Sequence, residues 1–278
     1  MTKRRLLRWA CGLLLTAAWA STGQGQIELR FSDPGVQDTT VTNASKANFN
    51  SLTPGVTYST ISMAAGVSGP SGTFTPSSPA AKWVRGANDF GGAGGSGNYL
   101  LSGSVVGLTT PTSHALTLSA DAGYFGVWVS SMDAFNQIRF LNNGTVVGIF
   151  SASSILGIGS PLIPPDPNPD LGTGHYGNPN NGRNIREPFV YLNFYAQNAA
   201  SQFDAVEFIQ LGNNGGFEID NVAVLTELIL AGDRGNDENV VGLLPVPEPL
   251  GLIAVGAALL VAARRRIGRP RHASERKA

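Results

Sequence analysis

Alternating apolar and polar positions run through the middle of the chain and predict β-strands. Short apolar or alternating runs, rich in β-branched and aromatic residues, are separated by Gly, Asn, Ser and Pro, and helical periodicity is nearly absent. The runs that predict strands are residues 58–62, 114–120, 124–129, 137–141, 145–150, 189–195, 203–211 and 217–225. Strands of this number and spacing are typical of an all-β domain, either a β-sandwich or a jelly roll.

Turn and loop signals separate these runs. Asn143-Gly144 lies between two of them and supplies the positive φ angles of a tight hairpin. Residues 157–186 carry six prolines among glycines and asparagines, which predicts a long loop. A formal G-x-G-x-x-G at residues 92–97 precedes the strand-like residues 98–101. A dinucleotide-binding motif would open a helix instead, so a flexible loop is the better interpretation.

Residues 189–195 show the clearest alternation. One face of this run carries three apolar side chains, which are expected in the core. The other face carries Tyr191, Asn193 and Tyr195. Aromatic rings beside an amide suit the stacking and hydrogen bonding of a sugar, so these residues are candidate glycan ligands. The alternative is that these rings also belong to the core.

The two ends of the chain have different patterns from the body. Basic residues followed by an apolar run and Ala18-Trp19-Ala20 predict a signal peptide over residues 1–20. The only cysteine, Cys11, lies inside it, so a mature chain has neither disulfides nor thiolate ligands. Residues 27–226 are expected to form one β-sandwich domain, and residues 227–245 a linker or stalk.

The carboxyl end carries an uncharged apolar segment at residues 250–263. As a helix these residues span about 21 Å, less than the roughly 30 Å of a bilayer core, so we expect a short transmembrane helix. Arg264, Arg265 and Arg266 follow it and are expected on the cytoplasmic side. The body would then be exported and held at the inner membrane as a precursor.

The order of parts over residues 246–271 resembles the PEP-CTERM sorting signal. Pro247, Glu248 and Pro249 precede the apolar segment, and the arginine cluster follows it. The two prolines hold the chain extended beside the membrane, where a protease can reach Glu248. The resemblance implies that exosortase, a membrane protease of bacteria that make extracellular polysaccharide, recognises these residues. It also implies delivery to the cell surface or extracellular matrix.

The body is similar to one group of exosortase-dependent surface proteins. The similarity covers residues 120–224 and rests on Tyr124-Phe125-Gly126-Val127-Trp128, Asn136-Gln137-Ile138-Arg139-Phe140, Tyr191-Leu192-Asn193-Phe194, Phe203-Asp204 and Gly216-Phe217-Glu218-Ile219-Asp220-Asn221. It implies a lectin-like β-sandwich and brings no established activity.

An acidic residue near the last strand of a lectin-like sandwich often holds a structural calcium ion through oxygen ligands. Asp220 is the candidate here, with Glu218 and Asp33 as further ligands. The alternative is a strand-end carboxylate that accepts hydrogen bonds from turn amides. No other cofactor is expected.

Charge and motif content narrow the function. Residues 27–244 contain 8 Lys and Arg against 17 Asp and Glu, a net charge of −9, which argues against nucleic-acid binding. The chain has no G-x-S-x-G and no H-E-x-x-H motif, and we expect no catalytic residues. Taken with these exclusions, the resemblance to PEP-CTERM proteins implies a non-enzymatic surface protein associated with extracellular polysaccharide in a biofilm. The alternative is a carbohydrate-binding module with a calcium-stabilised site.

Overall fold

A computed structural model describes residues 26–77, 83–103, 111–152, 155, 174–211, 215–234 and 238–245. The predicted signal peptide, sorting motif, transmembrane segment and arginine cluster lie outside the described residues. Internal contacts divide the chain after Pro245, and the first unit contains every described residue.

The described residues form fourteen strands in two antiparallel sheets. Their bounds are β1 (Gln26–Ser32), β2 (Ser45–Ala47), β3 (Ile61–Met63), β4 (Gly72–Pro76), β5 (Trp83–Gly86), β6 (Asn98–Gly103), β7 (Thr112–Ala122), β8 (Tyr124–Ser130), β9 (Asn136–Asn142), β10 (Thr145–Ser151), β11 (Val190–Ala196), β12 (Phe203–Gln210), β13 (Gly216–Leu225) and β14 (Glu238–Pro245). Short 3-10 turns occur at Ala93–Gly95, Ala199–Ser201 and Ala231–Asp233. The expected all-β class is confirmed.

Strand order differs strongly from chain order. The larger sheet runs β14-β1-β11-β8-β13-β6-β5, with β2 also paired to β13. The smaller sheet runs β10-β9-β12-β7-β4-β3. Strands distant in sequence are therefore neighbours at the centre of each sheet.

The facing sides of the two sheets share one hydrophobic core, which is rich in phenylalanine. Phe125 and Phe194 from the larger sheet contact Phe140 of the smaller one, with ring centroids 5.8 and 4.9 Å away respectively. Phe150 on β10 also contacts Phe194, at 4.9 Å. Apolar side chains at every second position of the strands build this core, as the alternation predicts.

The central strands of the larger sheet are buried on both faces. Every residue of β8 and of β11 is buried. The face away from the core is covered by connecting segments, because Thr39, Ala93 and Arg234 all contact its side chains. A face that alternation alone marks as solvent-facing is therefore interior.

Seven of the eight predicted strands agree with the structure to within two residues at each end. The eighth, at 58–62, shares only two residues with β3. The predicted hairpin between β9 and β10 is confirmed, with φ of 47° at Asn143 and 75° at Gly144.

The carboxyl end of the body differs from the expected linker over residues 227–245. Residues 238–245 form β14, which pairs with the whole of β1. Its short apolar run, Val240 to Leu244, follows glycines and acidic residues, so only its pairing with β1 reveals it as a strand. The sheet extends to Pro245 rather than ending near residue 226.

Candidate functional site

The three candidate glycan ligands lie on the outer face of β11. Strand register places Tyr195 opposite Tyr124 and Tyr191 opposite Trp128 on β8. Tyr191, Asn193 and Tyr195 therefore share one face, as predicted. Each has 0% of its surface exposed.

Hydrogen bonds within the protein occupy the polar atoms of this face. The Tyr124 hydroxyl donates to Asn193 Oδ1 at 2.8 Å, and Asn193 Nδ2 donates to Ser32 Oγ at 3.0 Å. The Tyr191 hydroxyl donates to the Asn221 carbonyl at 3.0 Å. The three side chains are therefore interior in this structure, which favours the alternative that these rings belong to the core, and the glycan site at Tyr191, Asn193 and Tyr195 stays a prediction.

An ion-pair group closes one end of this face. The Arg234 guanidinium lies 4.6 Å from the centre of the Tyr195 ring and 2.6 Å from Glu28 Oε2. Arg30 Nε donates to the other Glu28 oxygen at 2.6 Å. These partners lower the pKa of the Glu28 carboxyl, although its burial acts in the opposite direction as the largest single cause. Glu28 therefore stays ionised and fixes Arg234 over the ring.

Asp220 lies at the end of the regular part of β13, where the strand bulges against β8. Its Oδ2 accepts the Ala93 N–H at 2.9 Å, and its Oδ1 accepts the Asn221 N–H at 2.7 Å. Burial raises the pKa of this carboxyl to about 7, and the two amide hydrogen bonds act against that rise. Asp220 thus has the alternative role expected from sequence, a strand-end carboxylate that accepts hydrogen bonds from turn amides.

Glu218, two residues earlier on the same face, has different neighbours. It lines a pocket of about 250 Å³ together with Phe90, Ser131, Asp133, Glu187, Gly215 and Gly216, which we call the acidic pocket. Burial raises the pKa of the Glu218 carboxyl to about 8, and the charges of Asp133 and Glu187 add to the rise. Burial also raises the pKa of the Asp133 carboxyl and that of the Glu187 carboxyl. The charge of Asp133 raises the pKa of Glu187 further.

The three predicted calcium ligands therefore lie in three surroundings. Asp220 bonds turn amides, Glu218 lines the acidic pocket, and Asp33 is exposed after β1, where its charge acts on His175. Within the part of the chain that the structure describes, no group of three or more His, Cys, Asp or Glu side chains is arranged to hold a metal ion. The structural calcium stays a prediction.

A serine and a histidine that are twelve residues apart meet between the two sheets. Ser102 Oγ and His114 Nδ1 are 2.5 Å apart, with 1% and 2% of the residue surfaces exposed. Burial lowers the pKa of His114 to about 4, so the ring is neutral at physiological pH. No sequence motif indicates this contact. Because both side chains are enclosed, the pair stabilises the sheet packing and is closed to a substrate.

A second, larger pocket of about 450 Å³ lies near the other end of β13. It is lined by Thr40, Val41, Thr42, Asn43, Ser68, Leu225, Glu227, Leu228, Ile229 and Asp233. Residues with hydroxyl, amide, carboxyl and apolar side chains all line it. No sequence motif indicates either pocket, because β13 and segments distant from it in sequence line them together.

Comparison of the chain with protein-family models, with curated proteins and with solved structures finds no match. Among the described residues, no helix has the length and apolar character needed to cross a membrane. The predicted membrane segment at 250–263 lies outside them.

Proposed function

We propose that this chain is an exported, non-enzymatic protein of the cell surface or extracellular matrix, sorted and processed by exosortase. The observation that carries the proposal is the order of parts at residues 246–271. A Pro-Glu-Pro motif precedes an apolar segment that is short for a membrane span, and three arginines come after it. A signal peptide at residues 1–20 supplies export. The two packed sheets are the cargo, and we assign them to the lectin-like β-sandwich or jelly-roll class.

The position of β14 supports this proposal. The last described strand ends at Pro245, two residues before Pro247, and its pairing with β1 is complete at that point. Cleavage near Pro249 would therefore leave every strand of the body in place. A protein that is cut at this motif needs a fold that ends before it.

The mass of the mature carboxyl terminus tests the proposal. In cells with exosortase, we expect a chain that ends near Pro249, and in cells without it, a chain that keeps residues 250–278. Glu248→Gln should block this processing, whereas Glu227→Gln, at an exposed glutamate in the body, should not. An unchanged mass in the two strains, or unchanged surface attachment after deletion of residues 246–278, would contradict the proposal.

Polysaccharide is the partner that we propose for the body, and the pocket of about 450 Å³ near Leu225 favours a carbohydrate-binding module as the second candidate function. Several hydroxyl groups and two carboxylates line it, which suits a polyol. A glycan array with the full-length chain tests this candidate. Thr42→Ala and Asp233→Asn should weaken binding, and Asp121→Asn on the exposed end of β7 should not. If the folded chain binds no glycan, the carbohydrate-binding function is contradicted and the role as a sorted surface protein is the remaining candidate.

A further inference from the structure

We propose that the acidic pocket binds a protonated primary amine carried on a molecule of about the size of one sugar ring, as in an amino sugar. The choice of an amino sugar among amines rests on the proposed association with polysaccharide. The amine itself is inferred from the pocket.

Two residues that line the pocket each have a buried oxygen atom with no hydrogen-bond partner among the described residues. The atoms are Glu218 Oε2 and Ser131 Oγ, and each residue has only 7% of its surface exposed. Buried polar atoms are nearly always paired in native proteins, so a pair of orphans on residues that line the same cavity indicates a missing donor. An ammonium group carries three donors and no acceptor, which matches a carboxylate beside a hydroxyl.

The charge of the pocket selects a cation. Three carboxyl groups line it, from Glu218, Asp133 and Glu187, and none of the lining residues in the described chain is basic. Asp133 has one oxygen bonded to the Phe135 N–H at 2.7 Å, and its other oxygen is 3.5 Å from Gln210 Nε2, a weak contact. A positive ligand would compensate the mutual repulsion of these groups and favour their ionised forms.

The floor of the pocket keeps space beside the carboxylates. A Cβ atom on Gly216 would lie 2.6 Å from Glu218 Oε1, which is closer than real Cβ contacts. The atoms nearest to such a Cβ, Leu101 Cδ1 and Glu218 Oε1, are both ends of side chains, so glycine leaves room beside the Glu218 carboxyl that a larger residue would occupy.

The size and rim of the pocket favour an organic ligand over a metal ion. Its volume of about 250 Å³ lies just below the roughly 300–1,000 Å³ of sites for drug-sized ligands. Phe90 lines it with 50% of its surface exposed, which offers a ring face for stacking on a sugar or for a cation–π contact.

Isothermal titration of the full-length chain in mild detergent tests the inference. The ligands are glucosamine, N-acetylglucosamine, glucose, N-acetyl-lysinamide and Ca²⁺. We expect glucosamine to bind most tightly and the two neutral sugars not to bind, because they keep the ring and lack the charge. Binding should release protons, seen as a heat that depends on the buffer, because Glu218 must ionise.

Variants locate the site. Glu218→Gln should weaken glucosamine binding by about tenfold or more, the usual loss for one charged hydrogen bond. Glu187→Gln, at a half-buried position, tests the same pocket if the first variant folds poorly. Asp121→Asn, at an exposed site on β7, should bind like the native chain.

Several outcomes would overturn the inference. They are equal binding of glucosamine and N-acetylglucosamine, binding of Ca²⁺ alone, binding of lysinamide as tight as glucosamine, no binding at all, or no effect of either pocket variant. The proposed sorting by exosortase has a separate test. Processing of the Glu218→Gln chain in cells should be normal whether or not the protein binds glucosamine.

Discussion

Glu218 and Asp220 are two residues apart on one face of β13, yet their carboxyl groups have different surroundings. Both oxygens of Asp220 accept backbone N–H groups, whereas Glu218 Oε2 has no partner among the described residues. Alternation along the strand predicted the shared face. It could not predict the surroundings, because Ala93, Asp133 and Glu187 come from segments far away in the sequence.

Glu218→Gln should stabilise the protein at alkaline pH. The pKa of Glu218 rises from 4.5 to about 8 on folding, mainly through burial. Its contribution to stability is therefore fully present below about pH 4.5 and is lost as the pH rises to 8. The neutral amide avoids that loss, so we expect a gain of about 1–3 kcal/mol at pH 8 and almost none at pH 4. Chemical unfolding of both chains at the two pH values measures it.

The exposed variant Asp121→Asn is the control for this prediction and should show no comparable gain at either pH. A Glu218→Gln chain that is equally stabilised at pH 4 and pH 8 would show that the effect does not come from ionisation of this carboxyl.

Asp220→Ala should destabilise the body by about 1–3 kcal/mol, because the N–H groups of Ala93 and Asn221 lose their acceptors. Asp220→Asn keeps the shape and one acceptor oxygen, so it should cost less. Thermal unfolding of the two variants measures the difference. If calcium stabilised the native chain and not Asp220→Ala, Asp220 would instead be a metal ligand, as the sequence predicted.

At the scale of elements, β8 and β11 show what sequence patterns reveal and what they conceal. Both strands were predicted almost to the residue, because β-branched and aromatic side chains alternate along them. The outer face of β11 carries the candidate glycan ligands predicted from the sequence, although every residue of this strand is buried. Alternation shows which side chains share a face. It does not show whether loops cover that face.

No predicted run corresponds to β1, β2, β4, β5 or β14, and three of these five strands are shorter than five residues or lie at a sheet edge. β2 and β3 have three residues each, and β5 has four. Such short segments carry too few side chains for a period of two to be recognised. Their pairing partners define them, and pairing is information that local sequence does not contain.

Gly126 on β8 should tolerate no larger residue. A Cβ atom there would approach the hydroxyl groups of Tyr124 and Tyr191, the latter at 2.6 Å. We expect Gly126→Ala to cost about 1–3 kcal/mol through overpacking. In a Tyr191→Phe background, which removes one of the two hydroxyls, the same substitution should cost less. Urea unfolding of the four chains gives this coupling, and strictly additive effects would contradict the proposed contact.

At the scale of the whole molecule, the first and last described strands are neighbours. β1 pairs with β14 along its full length, with Gln26 opposite Pro245. The two ends of the described body therefore lie side by side at one corner of the larger sheet. The sequence assigned residues 227–245 to a stalk, because a lone edge strand close to glycines and acidic residues resembles a linker.

Two truncated chains should differ in stability according to whether they keep β14. A chain that ends at residue 249 should unfold like the full-length chain, since β14 is complete. A chain that ends at residue 237 lacks the backbone hydrogen bonds between β14 and β1 and should be less stable by at least about 2 kcal/mol. Thermal unfolding of both chains measures this loss. Equal stability would mean that β14 contributes nothing to the body.

The position of β1 between β11 and β14 also determines when its two edges can be paired during synthesis. β1 is among the first parts of the body to be synthesised, and its two neighbours, β11 and β14, begin only at Val190 and Glu238. Both edges of β1 stay open while more than half of the chain is made, and one stays open almost to the end. Such late pairing slows folding, and open strand edges invite association with other chains. The nascent body should therefore need a chaperone until its last strand arrives.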